Sequence, residues 1–231
     1  MTQAPQALMI DLDGTLVDTM ADFEAALNLA LADIDLPKVS REVVNIAVGK
    51  GSEHLVRTVL THQLALPEVQ ASGLVCNSTK VDTYYEPAFQ RYQHHYGQVN
   101  GQLAEVYPGV LEGLQSFQAK GLPMACLTNK PTAFAKDLLV RKGLDGFFSH
   151  VFGGDAFPRK KPDPLPLLET CKALGTLPAH TWMLGDSQND AQAARAAACP
   201  VVLVTYGYNH GEPIHGVDCD GFIDQFTELR F

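Results

Sequence analysis

Two aspartates near the beginning of the chain are the first residues whose spacing suggests chemistry. Asp11 and Asp13 follow the short apolar run of residues 7–10, and Gly14 comes directly after them. Side chains two positions apart on an extended strand point the same way, so we expect the two carboxylates to face one space. Two close carboxylates without compensation would force one of them to take up a proton, and a divalent cation removes that difficulty. Because oxygen-only ligands favour magnesium over zinc, this segment predicts a Mg²⁺ site.

A second pair of carboxylates follows another apolar run, residues 181–184. Asp186 and Asp190 are four positions apart, so a helical turn would place both on one face. The same spacing also fits the capped beginning of a helix.

Three further polar residues follow apolar runs and could bind an anion. Thr128 and Asn129 stand just before Pro131, which favours the beginning of a helix, and N–H groups at such a beginning attract negative charge. Lys161 precedes residues 163–164, a capping aspartate and a proline, which should fix its position ahead of another helix. A compact ammonium held there suits a phosphoryl oxygen or a carboxylate.

A parallel sheet would bring these residues together, since ligands bind beyond the carboxyl ends of its strands. After residue 107 the sequence alternates between strand and helix patterns, which predicts a parallel sheet with helices on both faces. The predicted strands are 7–12, 122–127, 150–152, 181–184 and 200–205, and the predicted helices of this part are 108–120, 131–142, 164–174 and 188–198.

Residues 18–100 carry almost no strand pattern, and helices are predicted there from residue 19 and over 53–65 and 80–96. Because one strand precedes this block, it is expected to be an insertion. The predicted fold class is therefore α/β, with a Rossmann-like parallel-sheet core of residues 1–17 and 101–231 and an all-helical cap domain of residues 18–100. Two lobes joined by two linkers can open and close around a ligand.

Composition excludes several classes of protein. The chain has 231 residues, a hydrophobic fraction of 46% and a net charge of −9, so it can build a core and repels nucleic-acid phosphates. The longest apolar stretch, 196–204, is interrupted by a proline and is too short for a membrane span. No signal-peptide pattern is visible, and the five widely spaced cysteines are expected to be reduced. These features favour a cytoplasmic protein with neither nucleic acid nor membrane as partner.

At these motifs the sequence resembles the haloacid dehalogenase superfamily of aspartyl phosphatases. Residues 11–15 (DLDGT) match its first motif, Thr128 the second, Lys161 the third, and residues 185–190 the fourth. The helical insertion is similar to the cap of that superfamily. Four further stretches resemble one subfamily, the bacterial phosphoglycolate phosphatases, and these are residues 48–51, 128–131, 153–155 and 205–209.

The resemblance implies a role for each acidic residue. Asp11 would attack phosphorus and form an aspartyl-phosphate, and Asp13 would protonate the leaving alcohol and later accept a proton from water. Mg²⁺ would be held by Asp11, the main-chain carbonyl of Asp13 and Asp186, with Asp190 either ligating the ion or orienting the site.

The remaining positions would bind the substrate. Thr128, Asn129 and Lys161 would contact the transferring phosphoryl oxygens. Gly49, Lys50 and Gly51 form a loop that enters a predicted helix, and Lys50 with the main-chain amides would meet a carboxylate of the substrate. A flexible solvated loop is the alternative interpretation of the same three residues.

The function predicted from the sequence is a magnesium-dependent phosphatase acting on a small phosphorylated metabolite, with 2-phosphoglycolate implied by the subfamily resemblance. The alternatives are another small ester such as a sugar phosphate, phosphoryl transfer as in a sugar phosphomutase, and a non-catalytic binding module. The expected assembly is a monomer or a homodimer.

Overall fold

A parallel six-stranded sheet forms the centre of the computed structural model, which describes residues 4–71 and 80–230. Its strand order is β5-β4-β1-β6-β7-β8, and a separate antiparallel pair joins β2 to β3. The strands are β1 (Ala7–Ile10), β2 (Val17–Asp18), β3 (Glu105–Val106), β4 (Met124–Leu127), β5 (His150–Phe152), β6 (Thr181–Gly185), β7 (Val201–Val204) and β8 (Gly221–Ile223).

Helices cover both faces of this sheet and also form the segment between β2 and β3. The helices are α1 (Met20–Ala32), α2 (Arg41–Ala47), α3 (Ser52–Leu64), α4 (Pro67–Ala71), α5 (Lys80–Val99), α6 (Val110–Ala119), α7 (Thr132–Arg141), α8 (Leu165–Leu174) and α9 (Gln188–Ala196).

Strand β1 is apolar throughout because the sheet is covered on both faces. Leu8 and Ile10 belong to the hydrophobic cluster that contains α6 and α7, whereas Met9 belongs to the cluster that contains α8 and α9. Side chains alternate across a strand, so a strand covered on both faces must be apolar at every position. The expected α/β core with helices on both faces is confirmed.

Helices α1 to α5 have a hydrophobic cluster of their own. Phe23 of α1 stacks on Tyr96 of α5 at a ring-centroid distance of 5.3 Å, and Tyr96 in turn packs edge-on against Phe134 of α7. Tyr208, from the loop after β7, also packs against this cluster. The helical segment therefore has its own core and touches the sheet domain through aromatic side chains.

The chain passes between the sheet and the helical segment twice, and hydrogen bonds connect the two passages. β2 and β3 pair as short antiparallel strands at these passages. The buried carboxylate of Asp22 in α1 accepts hydrogen bonds from the main-chain N–H groups of Gly101 (2.6 Å) and Leu103 (2.8 Å). The tie fixes the path of the chain where it returns to the sheet.

Most element bounds agree with the sequence predictions to within two residues, and the differences have local causes. The helix expected to begin at Pro108 begins at Val110, because Gly109 adopts a left-handed conformation as its N-cap. The N-cap of α8 is Pro164 and not the predicted Asp163, although the Asp163 carboxylate does accept the N–H of Leu165 at 2.9 Å. Helices α2 and α4 and strands β2, β3 and β8 were not predicted.

The structure also bears on the expectations about cysteines and membrane spans. Cys126, Cys171, Cys199 and Cys219 are free thiols, and Cys76 lies outside the described residues. Within residues 4–71 and 80–230, no helix combines the length and apolar composition that a membrane span requires.

The substitution Asp22→Ala is expected to lower the free energy of unfolding by about 2–4 kcal/mol, since it leaves two main-chain N–H groups near α1 without their acceptor. Chemical denaturation monitored by circular dichroism measures the change. Glu112→Ala, which removes an exposed carboxylate from α6, is the control and should change stability by less than about 0.5 kcal/mol. Equal stability of the two variants would contradict a structural role for Asp22.

Candidate active site

The carboxyl ends of three neighbouring strands bring the predicted motif residues together. Asp11 follows β1, Thr128 follows β4 and Asp186 follows β6, and these are adjacent strands of the sheet in the order β4-β1-β6. Lys161 reaches the same place from the loop after β5. All four residues are no more than 9% exposed, which is unusual for the three that carry a charge.

Three carboxylates lie close enough to share one cation. Oxygens of Asp11, Asp186 and Asp190 all lie within 4.8 Å of one another. Burial raises the pKa of Asp11 to about 7, although the Lys161 ammonium opposes the shift. Burial also raises the pKa of Asp186 well above the usual range, and the charges of Asp190 and Asp11 add to the effect. Burial and the neighbouring carboxylates thus disfavour the ionised forms, and a divalent cation among these oxygens would favour them.

Lys161 is the ammonium that partly balances this cluster. Its Nζ lies 2.6 Å from Oδ1 of Asp190 and 3.1 Å from Oδ1 of Asp11, and it donates to the carbonyl of Leu127 at 2.8 Å. Burial favours the neutral amine, but the two carboxylates outweigh it and hold the pKa of Lys161 above the usual lysine value. The group therefore stays charged beside Asp11.

Both carboxylate oxygens of Asp190 accept hydrogen bonds from other groups of the protein. Oδ2 accepts hydrogen bonds from the hydroxyl of Ser187 (2.7 Å) and from its N–H (3.2 Å), which completes a capping box at the beginning of α9. Oδ1 accepts from Lys161. These contacts fix the orientation of the Lys161 ammonium.

Asp186 is held by the segments on either side of it. Its Oδ1 accepts from the Thr15 hydroxyl at 3.2 Å, and its Oδ2 accepts from the main-chain N–H of Tyr208 at 2.6 Å. Gly14 has a positive φ of 84°, and a Cβ there would lie 2.1 Å from Oδ2 of Asp186. Only glycine at this position lets the loop after β1 pack against that carboxylate.

A small cavity opens beside Asp11 between the sheet and the helical segment. Its volume is about 30 Å³, which is room for one or two water molecules. On the sheet side it is lined by Asp11, Asp13, Thr128, Asn129 and Lys130. On the helical side it is lined by Phe23, Val48, Gly49, Gly51, Ser52, Leu55, Tyr92 and Tyr96.

Asn129 connects the two sides of this cavity. Its Nδ2 donates to the carbonyl of Gly49 at 3.0 Å and to that of Lys161 at 2.8 Å. The side-chain amide is thus engaged with main-chain carbonyls, and Thr128 accepts the N–H of Lys130 through its hydroxyl at 3.2 Å.

The loop that was expected to meet a carboxylate is only partly in the cavity. Gly49 and Gly51 line it, whereas Lys50 is exposed and does not line it. The charge of Lys50 instead acts on two nearby imidazoles: burial lowers the pKa of His54 and of His210, and Lys50 adds to both shifts.

Lys130 is the site residue that sequence reasoning missed. Its Nζ lies 2.8 Å from Oδ1 of Asp13, donates to the hydroxyl of Tyr96 and faces the ring of Phe23 at 4.8 Å. The sequence feature that could have indicated it is its position two residues after Thr128, which itself follows an apolar run. A lysine in a turn is usually solvated, so the sequence alone gave it no role.

Comparisons with known proteins identify relatives that match nearly the whole chain. The model of the family described as haloacid dehalogenase-like hydrolase matches residues 8–204. A phosphoglycolate phosphatase of Thiobacillus denitrificans is 41% identical over 224 residues, covering 96% of this chain and 93% of the relative. One of Nitrosospira multiformis is 38% identical over 223 residues, with 96% and 93% covered. A crystal structure described as a predicted phosphoglycolate phosphatase from Haemophilus somnus superposes with a TM-score of 0.88 at 31% identity, covering 99% of this chain and 97% of that one.

The carboxylate cluster predicts how stability depends on pH and on a cation. A carboxyl group whose pKa is raised on folding contributes stability below its unfolded pKa and loses that contribution as pH rises through its folded pKa. For Asp11 that window runs from the ordinary value of 3.8 to about 7. In a chelator we therefore expect this cluster to lower the melting temperature as the pH is raised from 5 to 7.5.

Magnesium should reverse that loss, because the ion binds the ionised carboxylates. At a concentration about 100 times its dissociation constant it should raise the melting temperature by about 5–10 °C at pH 7.5 and by less at pH 5. Differential scanning fluorimetry with and without the ion measures both effects. Asp186→Asn should reduce the magnesium increment, and the exposed control Asp145→Asn should keep it. An increment independent of pH would contradict the prediction.

Proposed function

This chain belongs to the haloacid dehalogenase-like hydrolase family, as its motifs predicted, and we propose that it is a phosphatase that converts 2-phosphoglycolate to glycolate and inorganic phosphate. The observation that carries the proposal is the buried group of Asp11, Asp186 and Lys161 at the carboxyl ends of the strands, beside a cavity. Relatives named phosphoglycolate phosphatase align over more than nine-tenths of the chain, which supports the choice of substrate.

Mg²⁺ is the cation we propose for the carboxylate cluster. The side chains of Asp11 and Asp186 and the main-chain carbonyl of Asp13 would hold it. Asp190, whose oxygens already accept from Ser187 and Lys161, would position these groups. When bound, the ion neutralises negative charge on the phosphoryl oxygens and on the carboxylates around them.

Asp11 is the nucleophile in this proposal. One of its oxygens attacks phosphorus while the bond from phosphorus to the ester oxygen breaks, which gives an aspartyl-phosphate. Lys161, 3.1 Å from Asp11, offsets the repulsion between this carboxylate and the anionic substrate. It also contacts the phosphoryl oxygens together with Thr128 and the main chain at Asn129.

Asp13 moves the protons. It donates a proton to the ester oxygen as that oxygen leaves. It then accepts one from the water whose oxygen attacks phosphorus and releases phosphate from Asp11. Asp13 lines the cavity next to Asp11, so one carboxyl can serve both half-reactions.

We further propose that residues 18–100 act as a cap domain over a core of residues 1–17 and 101–231. The cavity of about 30 Å³ is too small for a phosphorylated carboxylic acid, so the cap must move to admit substrate. A cavity closed by aromatic side chains favours a small leaving group over a sugar. The cytoplasmic location and the monomeric or homodimeric state expected from the sequence stay predictions.

A panel of phosphate esters with Mg²⁺ tests the substrate. We expect the specificity constant for 2-phosphoglycolate to exceed those for several sugar phosphates, with inorganic phosphate as the product. A sugar phosphate at the top of the ranking would replace the proposed substrate. Accumulation of a sugar isomer without phosphate would indicate a mutase, and inactivity on the whole panel would indicate a binding module.

Asp11→Asn tests the nucleophile. The amide cannot form an aspartyl-phosphate, so kcat should fall by about a thousandfold or more while the circular dichroism spectrum is unchanged. Asp145→Asn, at an exposed position outside the site, is the matched control and should keep kcat. Magnesium-dependent turnover retained by Asp11→Asn would rule out the mechanism.

A further inference from the structure

Lys130 is a second buried ammonium, separated in role from Lys161. It is 5% exposed and faces the cavity from the side of Asp13, whereas Lys161 contacts Asp11 and Asp190. Its partners come from both lobes: Asp13 belongs to the sheet side, and Tyr96 and Phe23 belong to helices α5 and α1. A fully buried lysine between two lobes is costly unless an anion balances it.

The wall beside Lys130 also contains the hydroxyl of Tyr92. This hydroxyl is buried beside the side chain of Ser52 and makes no well-formed hydrogen bond with a described residue. Burial holds the pKa of Tyr92 well above its usual value, so the hydroxyl keeps its proton and can donate.

The beginning of α3 lies in the same wall. Gly51 and Ser52 line the cavity, and Gly51, as the N-cap, offers no side chain to the N–H groups of the first turn. This helix has 13 residues, so its N-terminus adds a favourable field for an anion. An ammonium, a buried hydroxyl and a helix N-terminus therefore surround one small space.

We infer that Lys130, with Tyr92 and the first turn of α3, binds the carboxylate of the substrate. The inference rests on the proposed function and identifies the group that selects a carboxylated leaving alcohol. In 2-phosphoglycolate only two bonds separate the ester oxygen from the carboxyl carbon. A receptor for that carboxylate must therefore lie next to the group that protonates the ester oxygen, and Lys130 lies 2.8 Å from Asp13.

Lys50 does not lie next to Asp13, as a receptor for the carboxylate must. Its side chain is exposed and lies outside the cavity that Asp13 lines. Its charge instead helps burial to lower the pKa of His54 and of His210. The carboxylate contact first expected of Lys50 is therefore assigned to Lys130. The two assignments predict a selective loss of activity in different variants.

The test compares specificity constants for 2-phosphoglycolate and for ethyl phosphate, which lacks the carboxylate, with saturating Mg²⁺. For Lys130→Met we expect the specificity constant for 2-phosphoglycolate to fall by about 10- to 100-fold more than that for ethyl phosphate, since a charge-assisted hydrogen bond is lost. Lys136→Met, which removes an exposed lysine from α7, is the matched control and should leave the ratio of the two constants unchanged.

Tyr92→Phe provides a second variant whose folding is not at risk. The substitution keeps the buried ring and removes a hydroxyl that makes no well-formed hydrogen bond, so the melting temperature should change by no more than about 2 °C. At the same time we expect the KM for 2-phosphoglycolate to rise about threefold to tenfold, with little change for ethyl phosphate.

Four outcomes separate this inference from the proposed function. A selective loss in Lys130→Met together with the KM change in Tyr92→Phe supports the inference. Equal losses on both substrates would mean that Lys130 only positions Asp13, and would overturn it. A selective loss in Lys50→Ala but not in Lys130→Met would also overturn it, while the proposed function stands. A wild-type enzyme with no preference for 2-phosphoglycolate over ethyl phosphate would overturn both.

Discussion

The buried charge cluster around Asp11 is the constraint on which the rest of the site depends. Three carboxylates meet within 4.8 Å, and one ammonium, Lys161, contacts two of them. Burying unpaired charge is unfavourable, so this arrangement depends on neighbouring groups that form hydrogen bonds and ion pairs with the carboxylates. Hydrogen bonds from Ser187 and from the N–H of Tyr208 hold the carboxylates in place. The remaining negative charge fits a divalent cation, which is the ion proposed for this cluster.

The same cluster is linked to the passage between the two lobes through Tyr208. Its main-chain N–H donates to Asp186, while its hydroxyl donates to Asp18 and accepts the N–H groups of Thr19 (2.9 Å) and Met20 (3.1 Å). One residue therefore contacts both a proposed metal ligand and the beginning of α1. A movement of the helical segment about this passage must either carry Tyr208 along or break these bonds. The geometry thus couples the position of the helical segment to the position of Asp186.

The part of the site that follows the strands could be predicted from the sequence, because parallel strands deliver their carboxyl ends to one edge. Asp11, Thr128 and Asp186 needed only a strand pattern and a polar residue after it. Lys130 and Tyr92 could not be found in this way, since their role arises where two lobes meet. Whether a lysine in a turn is solvated or buried depends on what packs over it, and here that is α1 and α5, which are distant in sequence. The short strands β2 and β3 escaped prediction for the same reason, because their pairing joins residues 17–18 to residues 105–106.

The strength of the contacts that close the cavity determines whether such an enzyme can turn over. Beyond Lys130, the polar contacts between the lobes include hydrogen bonds from Asn129 and Asn189 to the carbonyl of Gly49 (3.0 and 3.2 Å) and the exposed ion pair of Lys160 with Glu53 (3.2 Å). Neutral hydrogen bonds contribute about 0.5–1.5 kcal/mol each and an exposed ion pair about 0–1 kcal/mol. Together these three contacts stabilise the approach of the two lobes by about 1–4 kcal/mol, and the contacts of Lys130 and Tyr96 add to this. A larger set of strong contacts would hold the two lobes together permanently, whereas the absence of such contacts would leave the space beside Asp11 open to solvent. The weak contacts at Gly49 thus suit a site that must exclude water during chemistry and still release its product.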